Sequence, residues 1–285
     1  GFIAVKSRGY VEVFKASEIK KIVTAGSSAD DAFLISTDIV DRVDLIQLVG
    51  GSGNDTFSLG GVTPQTEEEE AAEVVGSPGH SPTIIVEGNA GNDNFIGSAY
   101  ADFFYGGAGS DYAEGFGGDD KLYAQHDYLE TNFDPLQAVQ GDSTDENFIS
   151  GGSGNDTIYG GLESDQIWGD DRKNPNDGGA DTIWGLGGDD TIDAGVGDDV
   201  AFGGAGADVL FGRSGDDELH GGDHSDTLDG GADDDKLFGE SGTDIFIGGS
   251  GDDELHGGAD DDLAYWESAD GSDVFFGGAG NDEIS

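Results

Sequence analysis

Residues 151–159 read Gly-Gly-Ser-Gly-Asn-Asp-Thr-Ile-Tyr, and copies of this nonapeptide decide the fold of the chain. The shared pattern has glycine at positions one, two and four, aspartate at position six and an apolar residue at position eight. Ten copies follow one another without a gap between Asn176 and Tyr265. Glycine tolerates the positive φ angles that tight turns need. We therefore expect three-residue strands, such as 157–159, separated by glycine-rich turns.

Repetition at a short fixed period is typical of solenoids. Two nine-residue half-coils bring the chain round once, so equivalent residues of successive coils should stack at the strand spacing of about 4.8 Å. The sequence predicts an all-β fold, a right-handed parallel β-roll or β-helix solenoid with two nine-residue half-coils per turn. Eighth-position residues such as Ile158 and Leu210 are predicted to form its core, with Ala113, Ala201 and Ala264 as small exceptions.

Stacking should place the sixth-position aspartates in two columns, one with Asp181 and Asp199 and one with Asp190 and Asp208. Carboxylates this close repel each other unless a cation neutralises them. Calcium takes six to eight oxygen ligands, whereas magnesium demands a tighter octahedron and zinc prefers His or Cys. We therefore predict several Ca2+ ions as cofactors. The candidate metal ligands are Asp55, Asp93, Asp102, Asp111, Asp120, Asp156, Asp165, Asp181, Asp190, Asp199, Asp208, Asp217, Asp226, Asp235, Asp244, Asp253, Asp262, Asp273 and Asp282.

The tandem nonapeptides resemble those of the repeats-in-toxin (RTX) family. The resemblance implies a parallel β-roll with calcium between its turns, bound by the sixth-position aspartates and by turn carbonyls. It also implies that the eighth-position side chain points into the core. Type I secretion of an unfolded chain from a Gram-negative bacterium is a further implication of the same resemblance.

Some copies depart from the pattern. The fourth position holds Glu163, His224, Asp233 or Asp260 in place of glycine, and the copy at 97–105 lacks both the second and the fourth glycine. Aspartate tolerates a left-handed turn better than glutamate or histidine does. We expect weak or empty metal sites at these copies.

The pattern divides the chain into four parts. Residues 1–49 are predicted to be an N-terminal solenoid cap with degenerate coils, and 50–123 a first repeat region with a loop insertion at 59–87. Residues 124–141 form a second insertion, and 142–285 a second repeat region, the longer β-roll.

The first 49 residues carry the repeat only faintly. Asp31 and Phe33 hold the sixth and eighth places of a worn copy, and Asn147 holds the sixth place of another worn copy further along. Runs at 11–14 and 19–23 predict strands. We expect coils of the same solenoid here, closed by apolar packing instead of metal, because terminal units of repeat proteins are usually atypical.

The two long insertions carry local turn and helix signals. Residues 66–69 read as a capping box, and Ser77-Pro78 and Ser81-Pro82 follow. They predict a short exposed helix or a mobile loop. Asp134-Pro135 in the second insertion predicts an N-cap followed by a first-turn proline.

Composition narrows the class of protein. The formal net charge is -50, from 61 acidic and 11 basic residues. Nucleic acid is therefore excluded as a partner, because binding it requires basic patches. Insertion into a membrane is excluded as well, because no apolar stretch is long enough to form a membrane helix. Cysteine and methionine are absent. Bound metal would stabilise an extracellular protein in place of disulfides. Because methionine is absent, we interpret the chain as a segment of a longer protein or as a processed product.

No protease helix with His-Glu-x-x-His and no Gly-x-Ser-x-Gly elbow occurs in the sequence. We expect a non-enzymatic calcium-binding structural module of a secreted or cell-surface bacterial protein, which folds on Ca2+ binding outside the cell. A first alternative is a self-assembling surface-layer or filament subunit. A second is the targeting or substrate-holding module of a secreted enzyme whose catalytic domain lies elsewhere.

Ninth-position residues form an aromatic column on the outer face, Trp184, Phe202, His220, Phe238 and His256. Such a column suits stacking against a surface polysaccharide or docking of a neighbouring copy of the chain. Cross-strand stabilisation of a thin sheet is the simpler interpretation, and we prefer it.

Overall fold

The computed structural model describes residues 2–7, 10–15, 21–26, 28–35, 44–59, 83–98, 100–108, 110–118, 120–124, 146–170, 178–265 and 271–285. These residues form strands and turns, and no helix occurs among them. The strands make two 12-stranded sheets and one separate two-stranded sheet. The predicted all-β parallel roll is therefore confirmed.

Strands that follow one another in the chain alternate between the two large sheets. The odd sheet contains β3 (Lys21–Val23), β5 (Leu45–Ser52), β7 (Thr83–Ala90), β9 (Asp102–Ala108), β11 (Lys121–Tyr123), β13 (Thr157–Gly161), β15 (Thr182–Gly187), β17 (Val200–Ala205), β19 (Glu218–Asp223), β21 (Lys236–Ser241), β23 (Glu254–Ala259) and β25 (Val274–Ala279). The even sheet contains β4 (Ala32–Ile35), β6 (Thr56–Leu59), β8 (Asn94–Ser98), β10 (Tyr112–Gly117), β12 (Phe148–Ser153), β14 (Gln166–Trp168), β16 (Thr191–Val196), β18 (Val209–Ser214), β20 (Thr227–Ala232), β22 (Ile245–Ser250), β24 (Leu263–Tyr265) and β26 (Glu283–Ile284).

Neighbouring strands within each sheet are parallel and keep the repeat in register. Thr182 pairs with Val200, and Val200 with Glu218. The register also survives the insertions, because Tyr123 pairs with Tyr159 and Thr157 with Thr182. The strands on either side of the insertions therefore keep their register.

Most strands are longer than the three residues that we expected. The strand Thr182–Gly187 runs from the seventh position of one copy to the third position of the next. Leu186 and Gly187 continue the ladder by pairing with Gly204 and Ala205. The first two glycines of a copy thus belong to a strand, and the turn is confined to positions four to six.

The core lies between the two large sheets and is built from eighth-position side chains. Ile158, Ile183, Leu210 and Leu237 are completely buried. Phenylalanine rings fill the core in some coils, and Phe95 stacks on Phe104 with ring centroids 4.9 Å apart. The predicted inward orientation of the eighth position is confirmed.

The first two strands differ from our expectation of solenoid coils. Strand β1 (Phe2–Ser7) pairs antiparallel with β2 (Tyr10–Lys15), and the two form a sheet of their own. This part of the 1–49 prediction is wrong, although a strand does cover 11–14. Residues 2–15 contain one glycine and no aspartate, so they lack the turn residues of a coil. From β3 onward the strands do belong to the two large sheets, since β3 pairs parallel with β5 and β4 with β6.

Strand β6 ends at Leu59 and β7 begins at Thr83. Both ends of the insertion predicted at 59–87 therefore lie in strands, and only 60–82 falls between the two strands. The helix or loop predicted there lies outside the described residues. The same holds for Asp134-Pro135 and the rest of the 124–141 insertion beyond Ala124.

Within the described ranges, no helix is long and apolar enough to cross a membrane.

Candidate metal centre

Each copy requires left-handed backbone at its second position, within the strand, and at its fourth position, where the turn begins. Gly204 and Gly206 have φ angles of 109° and 148°. Non-glycine residues at these positions adopt the same conformation, as Arg213 does at the second position with φ 84° and His224 at the fourth with φ 83°. Left-handed backbone costs an L-residue roughly 1–2 kcal/mol, so the coil geometry imposes the turn even on histidine.

Sixth-position side chains join successive coils by hydrogen bonds. The backbone N–H of Asp181 donates to Oδ1 of Asp199 at 2.7 Å, and that of Asp199 donates to Oδ1 of Asp217 at 2.8 Å. Asp190 and Asp208 are joined in the same way at 2.8 Å. The two predicted columns are therefore present, and each holds its aspartates in one fixed orientation.

We name each column after the strands that follow its residues. The odd column contains Asp102, Asp120, Asp156, Asp181, Asp199, Asp217, Asp235, Asp253 and Asp273. The even column contains Asp31, Asp55, Asp93, Asp111, Asn147, Asp165, Asp190, Asp208, Asp226, Asp244, Asp262 and Asp282. All nineteen candidate aspartates of the sequence lie in these columns. Asp31 and Asn147 join the even column although we did not count them as candidates.

The column aspartates are almost completely buried, apart from Asp31 and from Asp273 and Asp282 of the final coil. Their second carboxylate oxygen, Oδ2, is the unusual atom. Within the described part of the chain, Oδ2 is buried and accepts no hydrogen bond in Asp55, Asp93, Asp165, Asp181, Asp190, Asp199, Asp208, Asp217, Asp226, Asp235, Asp244, Asp253 and Asp262. A buried charged oxygen without a partner is costly, so these atoms require a cation or a proton.

The first-position glycine leaves a space beside each Oδ2 atom. A methyl group built on Gly185 would overlap Oδ2 of Asp190 and lie 2.7 Å from the carbonyl oxygen of Gly203 in the next coil. A methyl on Gly239 would likewise overlap Oδ2 of Asp244. We call this space the cradle. A carboxylate and a backbone carbonyl line it, and both are oxygen ligands that calcium accepts at about 2.3–2.6 Å.

Side chains alone do not complete such a site. Among the described residues, no three His, Cys, Asp or Glu side chains converge on one point. The ligand set would therefore combine one or two carboxylates with backbone carbonyls, which fits calcium and not zinc. Two of the described histidines are engaged elsewhere, His220 with Glu218 and Glu240 and His256 with Glu254.

Burial disfavours the ionised form of these acids when no cation is bound. Desolvation raises the pKa of Asp181 and Asp190 to about 9 and that of Asp217 to about 8. The hydrogen bond from the preceding backbone N–H opposes the shift, and the charges of neighbouring column aspartates add to it. Each carboxylate thus requires a positive charge nearby to stay ionised at neutral pH.

Asp102 differs from the other column aspartates. The backbone N–H of Ser98 donates to its Oδ2 at 2.7 Å, and the Ser98 hydroxyl contacts its Oδ1 at 3.4 Å. Ser98 stands at the second position, where most copies have glycine. This carboxylate is satisfied by its own turn, and a weak or empty site in the copy at 97–105 remains our prediction.

Sequence reasoning missed two residues near the odd column. Ala194 occupies the first position of the Asp199 copy, where a methyl group fills the cradle. Asp170 is buried and accepts the backbone N–H of Val196 through Oδ2 at 2.5 Å. Aligning first positions would have revealed Ala194, whereas no sequence signal marks Asp170, because it opens an insertion.

Fifth-position side chains form a second, exposed row of hydrogen bonds between coils. Here the backbone N–H donates to the preceding coil, whereas in the aspartate columns it donates to the next coil. The backbone N–H of Asp216 donates to Oδ1 of Asp198 in the preceding coil at 3.1 Å, and that of Asp234 to Oδ1 of Asp216 at 3.0 Å. These carboxylates face solvent. They support the turns without lining the cradle.

The aromatic column is longer than predicted and forms one continuous stack on the odd sheet. Its rings are Tyr105, Tyr123, Tyr159, Trp184, Phe202, His220, Phe238, His256 and Phe276. Neighbouring centroids are close, 4.5 Å apart for Tyr159 and Trp184 and 4.9 Å for Phe238 and His256, and the ring planes are nearly parallel. Each inner ring has both faces covered by its neighbours, so it offers only its edge to a ligand.

Comparison with curated proteins finds no match to the chain. The profile of the RTX calcium-binding nonapeptide repeat matches residues 47–61, 87–122, 143–171, 177–201, 202–237, 238–265 and 268–285. These segments cover more than half of the chain and contain all the candidate aspartates. Their copies are the ones that place buried carboxylates and carbonyls around the cradle. The chain therefore belongs to the RTX calcium-binding nonapeptide repeat family.

Proposed function

We propose that the chain is a non-enzymatic structural module of a secreted or cell-surface bacterial protein, and that it folds when calcium binds outside the cell. The observation that carries the proposal is the run of buried Oδ2 atoms beside the glycine cradles. Each of them needs a positive charge once the coils have stacked. A chain with a net charge of -50 has too few basic residues to supply those charges itself.

The column aspartates have two separate tasks in this mechanism. Oδ1 fixes the side chain by accepting a backbone N–H from the preceding coil, as in Asp181 and Asp199. Oδ2 then faces the cradle together with the carbonyl of the next coil, as in Asp190 and Gly203. When bound there, calcium supplies the charge that cancels the repulsion along a column.

Folding and calcium binding are therefore one process. Extracellular calcium modules commonly bind in the range of about 0.1–1 mM, far above cytoplasmic calcium. The chain stays largely unfolded in the cell, leaves through type I secretion in that state, and folds outside. Membership of the RTX family supports this sequence of events.

Self-assembly into a surface layer or filament is the second candidate function. Two exposed apolar side chains favour it, Ile247 and Tyr265, which pair across neighbouring strands of the even sheet. Such a contact would join copies of the chain through their even sheets. A supporting role for a catalytic domain elsewhere in the parent protein is the third candidate.

Circular dichroism during a calcium titration tests the leading proposal. We expect a weak β signal in excess chelator, a cooperative rise at millimolar Ca2+ and no equivalent rise with equal Mg2+. An unchanged β signal after calcium removal would overturn the coupling of folding to calcium. Light scattering in the same titration separates the second candidate, since assembly requires particles larger than the 29.3 kDa chain.

A further inference from the structure

One coil of the even column differs from its neighbours at two positions. Its first position is Ala124, whose carbonyl oxygen lies beside Gly106 as that of Gly203 lies beside Gly185. Its sixth position is Asn147, which is completely buried. The insertion of this coil separates the two residues in sequence but not in the column.

Both polar atoms of the Asn147 side chain form hydrogen bonds. Its Oδ1 accepts the backbone N–H of Asp111 at 2.9 Å, which is the bond that Oδ1 makes in the column aspartates. Its Nδ2 and its backbone N both donate to Oδ1 of Asp165 at 2.8 Å. The atom that replaces Oδ2 is therefore an N–H donor, and a donor cannot coordinate a cation.

The cradle of this coil is also closed. At the first positions that hold glycine, a methyl group built on it overlaps the sixth-position Oδ2, as at Gly185 and Gly239. Ala124 carries such a methyl group and is buried. The same coil has thus lost both the space and the carboxylate that the other copies share.

We propose that the Ala124–Asn147 coil is a metal-free link in the even column, held by the Asn147 amide where its neighbours require calcium. The proposal rests on the calcium-dependent folding proposed above and adds to it which coil takes no ion. Because Asn147 is neutral, the column continues across the insertion without a buried charge at this coil. Calcium then loads the coils on both sides of it.

Counting bound ions by native mass spectrometry at saturating Ca2+ tests the link. We expect the wild type and Asn147→Ala to bind the same number of ions. The double variant Ala124→Gly/Asn147→Asp restores the space and the carboxylate, and we expect it to bind one ion more. Asp226→Asn in an ordinary coil is the matched control, and it should bind one ion fewer than the wild type.

Two results would overturn the link. One is a lower ion count in Asn147→Ala, which would mean that Asn147 takes part in binding. The other is an unchanged count in a folded double variant. If the double variant fails to fold, the count in Asn147→Ala decides alone. A wild type that binds no calcium would instead refute the proposed function, so the two failures are distinguishable.

Discussion

The backbone N–H of Asp165 donates to Oδ1 of Asp190 at 2.8 Å, although the two residues are 25 positions apart. In uninterrupted coils the same bond joins residues 18 apart, as between Asp190 and Asp208. The column is thus defined by the stacking of turns and not by a constant step along the chain. We therefore expect the effect of changing one aspartate to depend on the coils that stack against it.

Asp190→Asn should remove one calcium ion and weaken the fold. The substitution takes away a buried carboxylate ligand, and breaking one partner of a buried charge interaction costs about 3 kcal/mol. We expect a higher calcium midpoint in the circular dichroism titration. Asp189→Asn is the matched control, because Asp189 is exposed and only accepts the N–H of Ala207. Equal effects of the two variants would contradict the assignment of Asp190 to the cradle.

Gly185→Ala should damage the roll through the cradle. A methyl group at this position overlaps Oδ2 of Asp190, and overpacking of this kind costs about 1–3 kcal/mol. Gly187→Ala provides the comparison, since the nearest atom to its methyl group would be the Leu162 carbonyl oxygen at 3.5 Å. Thermal unfolding in saturating calcium measures both variants. A larger loss in Gly187→Ala would argue against the cradle.

Ala194→Gly should strengthen calcium binding in the odd column. Removing the methyl group opens the cradle beside Asp199, whose Oδ2 is buried. Without calcium the variant should be less stable by about 0.5–1 kcal/mol, because glycine loses more backbone entropy on folding. Ala207→Gly is the control, because it has the same entropic cost but Ala207 lies at an exposed turn and not at a cradle. We expect tighter calcium binding by isothermal titration calorimetry in Ala194→Gly alone. Unchanged or weaker binding there would contradict the idea that the methyl group obstructs the cradle.

The calcium-free chain should fold better in acid. Desolvation raises the pKa of Asp181 and Asp190 to about 9, against 3.8 for an ordinary aspartate. A pKa raised by folding means that the folded state binds more protons, so its contribution to stability is complete below pH 3.8 and is lost as the pH rises toward 9. In chelator we expect the β signal to grow as the pH falls from 8 to 4. With calcium the pH dependence reverses, because protons compete with the ion for the carboxylates. The calcium concentration at the midpoint of folding should therefore rise on acidification. A β signal that fell on acidifying the calcium-free chain would contradict this.

Truncating a ring of the aromatic stack should cost stability without changing the number of bound ions. Trp184→Ala removes contacts with Tyr159 and Phe202, each worth about 0.5–1.5 kcal/mol. We expect a lower melting temperature in saturating calcium. Val200→Ala, on the outer face of the neighbouring strand, is the control. Loss of binding to a surface polysaccharide in Trp184→Ala with an unchanged melting temperature would favour the carbohydrate interpretation instead.

The fold and the two columns could be predicted because the period is strict where it matters. From Asp181 to Asp262 each step is constant, so the stacking of Asp181 on Asp199 follows from spacing alone. Burial of Ile183 and Leu219 follows from the same count. Local repetition determines these features, and no distant contact competes with it.

Other features depend on neighbours that the spacing does not specify. The antiparallel pair of β1 and β2 lies in a segment that lacks the repeated glycines and aspartates of a coil. The bond from Ser98 to Asp102 depends on a residue outside the consensus. The role of the first glycine depends on contacts between coils, because Gly185 lies beside the Asp190 carboxylate of its own coil and the Gly203 carbonyl of the next.

The insertions that leave the strand register intact have an evolutionary consequence. Ala124 and Asn147 keep their places in the stack although a long segment separates them, and the turn before Asp181 is interrupted in the same way. New sequence can therefore be acquired between the first and sixth positions of a copy while the ladder above and below it is preserved. Such turns are natural grafting points at which a lineage can diversify its outer surface without redesigning its scaffold.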